Sequence, residues 1–202
     1  MKQHESAMGS WAAAGSRDAA GPRAAEAARA QRDAVQIGWI DEQPISRELL
    51  DARLASLRSG PRAGALPASG SSEDRQLTRW TAQVLFTEEI CRLEARRREL
   101  TPGTPAELDP VGAVQLGSIN AAAWRSCPEV SAVFEAVTSS PQLPDVAAWA
   151  RVDAVTLARL RHGERLREFA RWLDRRRSES LRHAPGFEHP GDPSQPDNTH
   201  RH

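Results

Sequence analysis

The stretch from residue 73 to residue 99 constrains this chain more than any other. Leu77, Trp80, Val84 and Cys91 recur along one side at helical spacing, and Leu85, Phe86, Ile90 and Leu93 widen that side. Ser71 or Ser72, followed by Glu73 and Asp74, supplies a cap and negative charge for the positive end of a helix. The basic run from Arg92 to Arg98 suits the opposite end. A helix so broadly apolar belongs at the centre of a core, with other elements packed around it. The expected fold class is therefore mainly α, with one or two short strands.

The flanking segments supply those elements. Val35 to Ile40 reads as a short strand, and Asp41-Glu42-Gln43-Pro44 as turn chemistry, since Pro44 keeps Gln43 out of the helical region. Ser46 is a good N-cap for an amphipathic helix over 47–58, marked by Leu49, Leu50, Leu54 and Leu57 and ended by Gly60-Pro61. Residues 60–72 form a Gly/Pro/Ser/Ala loop, and Leu108 to Leu116 can hold a helical turn. Ser118 is expected to cap a helix carrying Ile119 and Trp124. Cys127-Pro128 breaks the chain, and Pro128 suits the first position of a helix with Val130, Val133, Phe134 and Val137 on its apolar face. Ala147 to Val155 is open between a strand and a helix start. Leu157, Leu160, Leu166, Phe169 and Leu173 mark a last long helix, over about 156–182.

This gives one helical domain, 35–183, with its N-terminal helices over 35–140 and a strand plus long helix over 145–183. Residues 1–34 are rich in Ala and Arg but nearly empty of large apolar residues, and read as a disordered tail. Residues 184–202 read as a second, His/Pro/Asp-rich tail.

Composition excludes several functions. Lys and Arg number 27 and Asp and Glu also 27, so there is no basic surplus with which to displace counterions from nucleic acid. No window is apolar enough to span a bilayer, and no secretory leader stands at the N-terminus, so the expected location is the cytoplasm. Cys91 and Cys127 form no CxxC motif and read as buried thiols. No Gly-x-Ser-x-Gly elbow or phosphate loop is present, and His162 stands alone on its helix as an exposed residue. No catalytic residue is assigned. No cofactor is expected, apart from a divalent metal held by the tail: His200-x-His202 offers two imidazoles, with His189 or Asp197 as a third ligand. Leu77, Trp80, Val84, Phe86, Trp124 and Phe134 are the candidate lining of an apolar groove, because aromatic rings are frequent anchors in binding sites. An exposed groove of this kind would also favour a homodimer.

The segment Trp39-Ile40-Asp41-Glu42-Gln43-Pro44-Ile45-Ser46-Arg47-Glu48-Leu49-Leu50 resembles the opening of SurA-like chaperone domains, as does the following helix with Arg75, Gln76, Leu77 and Leu85. In that family the opening belongs to a helical region flanking a parvulin-type peptidyl-prolyl isomerase domain. Arg151-Val152-Asp153-Ala154-Val155 resembles the last parvulin strand, and Phe169 to Asp174 the closing chaperone helix. The tail from His189 is similar to that of an actinomycete branch of the family. The resemblance covers 38–139 and 149–202. It departs between Val137 and Trp149, where about a dozen residues replace an isomerase domain of about a hundred. The resemblance implies a non-catalytic scaffold that holds an apolar or unfolded polypeptide. The alternative is an auxiliary protein or atypical enzyme, such as a cyclisation helper, of a polyketide or peptide pathway, acting on a pathway protein or intermediate.

Overall fold

The computed structural model describes residues 35–104, 107–138, 153–193 and 195. Among them it is mainly helical, with one small sheet. The strand at Gln36–Ile40 (β1) turns at once into Gln43–Ser46 (β2), and Ile40 pairs with Gln43 across the two-residue loop. Asp41 and Glu42 both have positive φ, 47° and 64°. That is the pattern of a type I′ turn, whose twist matches the strands. The chain thus turns at Asp41-Glu42 and is already extended at Gln43-Pro44, where a turn was expected. Pro44 has no N–H to give and sits on the outermost strand, where none is needed.

Ser46 accepts from the Glu48 N–H and caps α1, Arg47–Ser59. Ser71 likewise accepts from Asp74 and opens α2, Ser72–Arg97. Three short helices follow: α3, Pro110–Leu116; α4, Ser118–Ser126; and α5, Pro128–Val137, with Pro128 in its first turn. Ser118 does not cap α4. Gly117, at φ 83°, closes α3 and opens α4 at once, and the Ser118 hydroxyl instead accepts from Trp80 Nε1 at 3.4 Å. The long α6, Ala154–Ser180, starts at Asp153, whose carboxylate accepts from the Val155 and Thr156 amides. Asp153 to Val155 are therefore a helix start and not a strand; Arg151 and Val152 lie outside the described residues.

The strand β3, Leu181–His183, occupies the end of what was expected to be helix. It pairs antiparallel with β1, giving the order β2-β1-β3. Gly38 explains how the strands come so close. A Cβ there would stand 2.7 Å from the Arg182 carbonyl and 3.0 Å from the Phe86 ring.

The core is built on α2, which packs against α1, α4, α5, α6 and β1. Its centre is aromatic. Trp124, Phe134 and Phe169 meet edge to face, with centroids 5.1, 5.6 and 6.5 Å apart, and Trp172 stacks on Phe169. Pairs of this geometry add about 0.5–1.5 kcal/mol each beyond the area they bury. Among the described residues no helix is long and apolar enough to cross a membrane.

Candidate functional site: a surface cleft beside a buried polar network

The six proposed groove residues do not share one surface. Val84, Phe86, Trp124 and Phe134 are buried in the core, while Leu77 and Trp80 are half-buried on α2. Trp124 edges a cavity of about 320 Å³, shared with Leu100, Thr101, Thr104, Ser131 and Glu135. The periodicity of α2 is correct, but its apolar stripe is so wide that neighbours cover nearly all of it.

The apolar surface lies elsewhere. A cleft of about 440 Å³ runs between α3 and the first turns of α6. Val111, Val155, Ala158 and the backbone of Gly112 and Gly163 line it, with Asp109, Gln115, Arg159 and His162 at its polar edges. Val111 is 64% exposed and Val155 62% exposed, and Val114, on the same short helix, 81%. The helices can approach because both carry glycine at the crossing. A Cβ on Gly112 would stand 3.0 Å from Leu166, and one on Gly163 3.0 Å from Gln115. Asp109 caps α3 through the Gly112 amide at 2.6 Å, so the cleft wall is held at its root. His162 is half-buried, not exposed, with its ring edge-on to Phe134 at 5.8 Å. The sequence analysis did not single out this place, because α3 is too short for its valines to raise a periodic signal.

Apart from the cleft, buried and half-buried polar groups tie the helices together. The Glu88 carboxylate, fully buried on α2, accepts a two-pronged pair from Arg53 of α1 at 2.9 and 3.0 Å, with Arg92 at 3.1 Å and the Ser126 hydroxyl. Arg177 of α6 donates to Thr87 of α2 at 2.7 Å, to Asn120 of α4, and to Asp174 at 3.0 Å. Arg165 of α6 donates to Thr138 at 3.0 Å, ion-pairs with Glu135, and lies 4.5 Å over the Phe134 ring. Each of these charges has neighbours that match it, so each pins helices together instead of facing a ligand. At the hairpin, burial pushes the Asp41 carboxyl up, but hydrogen bonds and charge from Arg97 and Arg176 outweigh it and hold it below the usual carboxylate range.

The cysteines are free and buried, as expected. Burial pushes the Cys91 thiol well up, and Cys127 nearby adds to the effect. Burial, then the hydrogen bond to Glu129 at 3.1 Å, raises Cys127 to about 12. Both stay protonated at neutral pH, which leaves neither a nucleophile. For metal, His189 is described: its Nδ1 accepts from the Gly191 amide at 3.0 Å, closing a local turn. Asp197, His200 and His202 lie outside the described residues. No group of three or more metal-ligating side chains is found among the described residues.

No curated protein and no solved structure matches the chain. One family model does match, over residues 36–73, and its description is a family of unknown function, DUF7158. That span is the hairpin, α1, the loop after it and the first two residues of α2, and it includes none of the residues that line the cleft.

Proposed function

We propose that this chain is a non-catalytic helical binding protein, of SurA-like character, that holds an extended apolar stretch of polypeptide. The observation that supports this reading is the cleft between α3 and α6, where Val111 and Val155 stand exposed across from each other over a floor of Gly112, Ala158 and Gly163. Apolar side chains left facing water beside a concavity mark interaction surfaces. The polar rim of Gln115, Arg159 and His162 offers groups for the peptide backbone of such a client. On this reading the protein works in the cytoplasm without a cofactor.

The test is aggregation of a chemically denatured client enzyme, followed by light scattering. At equimolar ratio the protein should cut scattering by about half or more, and Val111→Ser with Val155→Ser should abolish the effect, since each valine contributes about 1.5–3 kcal/mol when fully buried. Equal suppression by wild type and double variant would overturn the assignment of the cleft. The auxiliary-protein reading rests on the smaller cavity at Trp124, whose hydroxyl-rich wall of Thr101, Thr104 and Ser131 suits a small molecule. Quenching of tryptophan fluorescence by a pathway intermediate, with no suppression of client aggregation, would favour it.

A further inference from the structure

Beyond β3 the chain stays on the domain. The Ala184 amide donates to Ile37 O at 3.0 Å and Ala184 is buried. Phe187 packs on the core margin beneath the Arg47 guanidinium, 5.3 Å from the ring. The Glu188 carboxylate then turns back to accept from the Gly186 amide at 2.9 Å and from Gln195 Nε2 at 2.7 Å. This strap, residues 181–193, meets α2 at a polar contact group centred on Gln83.

His183 is the key to that group. Its ring meets Phe86 edge-on at 5.3 Å, and its Nε2 lies 3.2 Å from Gln83 Nε2. The same Gln83 nitrogen donates to the Phe187 carbonyl at 3.0 Å. An amide nitrogen has two hydrogens, so one goes to the carbonyl and the other to the imidazole. The network therefore assigns a bare, accepting Nε2 to His183, with its proton on Nδ1. A second proton on Nε2 would set N–H against N–H. Turning the Gln83 amide over would present its oxygen to the imidazolium, but would take the donor away from Phe187. Either way, protonation removes one of the two bonds by which Gln83 holds the strap.

We infer that the C-terminal strap is a proton-sensitive clasp, closed on β1 and α2 while His183 is neutral and loosened when its Nε2 takes up a proton. The surroundings act in the same direction. From α2 the imidazole faces Gln83 and Phe86, from β1 Gly38, from α6 Arg177, and from its own segment Glu188 and His189. Burial is the largest influence and lowers its pKa below the ordinary 6.5; His189 and Arg177 push the same way, and Glu188 opposes them. A released strap would carry a histidine of ordinary pKa, so the open form binds more protons than the closed one. Closure is then fully favoured above about pH 6.5 and weakens as pH falls through that value toward the depressed one. Loosening bares the edge of β1 from Gly38 to Ile40.

Hydrogen exchange on the full chain tests this at about pH 7.5 and about pH 5, corrected for intrinsic exchange, the two sides of the histidine range. Amides of 36–40 and 181–187 should lose protection severalfold at the lower pH, while α2 stays protected. His183→Gln, which keeps an acceptor for Gln83 but no titrating group, should hold the strap equally at both values, and His189→Gln should behave as wild type. Unchanged protection in the wild type, or full pH dependence surviving in His183→Gln, overturns the inference. Should that variant not fold, NMR of the wild type decides: the His183 ring and the strap amides must share one titration midpoint, and separate midpoints refute the clasp.

Discussion

The middle of α2 and the α3–α6 cleft invert the usual distribution of polarity. From Thr81 to Glu88 every residue of α2 is buried, including Thr81, Gln83, Thr87 and Glu88. Each of those four has a partner: Thr81 and Thr87 donate to carbonyls one turn back, Gln83 holds the strap, and Glu88 holds two arginines. At the cleft, Val111, Val114 and Val155 face water with more than half their surface. Burial of a polar group is tolerable once its hydrogen bonds are met, whereas apolar exposure is an affinity for whatever covers it. The first region therefore carries stability, and the second is the surface to which the proposed function assigns recognition.

Three variants, one of them double, sharpen or break that contrast. Trp124→Ala removes the largest buried ring and should cost about 3–5 kcal/mol in urea unfolding, the range for deleting a large aromatic from a core. A loss under about 1 kcal/mol would mean the aromatic cluster is not the keystone that the contrast requires. Glu88→Ala strands Arg53 and Arg92. Because those side chains are 30% and 33% exposed and can reach water, the expected loss is at the low end of the buried-pair range, about 3 kcal/mol. A double-mutant cycle with Arg53→Ala should recover part of it, and strict additivity would show that the pair is uncoupled. The smallest effect belongs to the cleft. Val111→Ser with Val155→Ser should shift unfolding by no more than about 0.5 kcal/mol per site. A larger loss would show that the cleft belongs to the core after all.

Much of the architecture was legible because it is local. Ser46, Ser71 and Pro128 mark helix starts by chemistry that acts over two or three residues, and the apolar faces of α1, α2 and α6 follow from period alone. Two features were not. Leu181-Arg182-His183 continues a helical pattern without fault, and becomes a strand only because Gly38, far away in sequence, leaves room for it beside β1. The groove residues failed for a related reason. Periodicity tells which side chains of α2 are apolar but not how many elements surround them, and here Val84 and Phe86 are buried, Phe86 against Gly38 of β1 and His183 of β3. Of the cleft valines, by contrast, Val111 sits on α3, which has seven residues and too few turns to raise a periodic signal, and Val155 sits in the first turn of α6, ahead of the apolar face that its period marks.

The pairing of β1 with β3 sets the order in which the molecule can be completed during synthesis. The ribosome releases Gly38 long before His183, so the inner edge of β1 stays without its partner until all of the chain between them has emerged. Closing so long a loop is a late and slow event in folding. A ribosome stalled within α6 would display a nascent chain with an open β-edge, and that intermediate is where chaperones or proteases would first meet this protein.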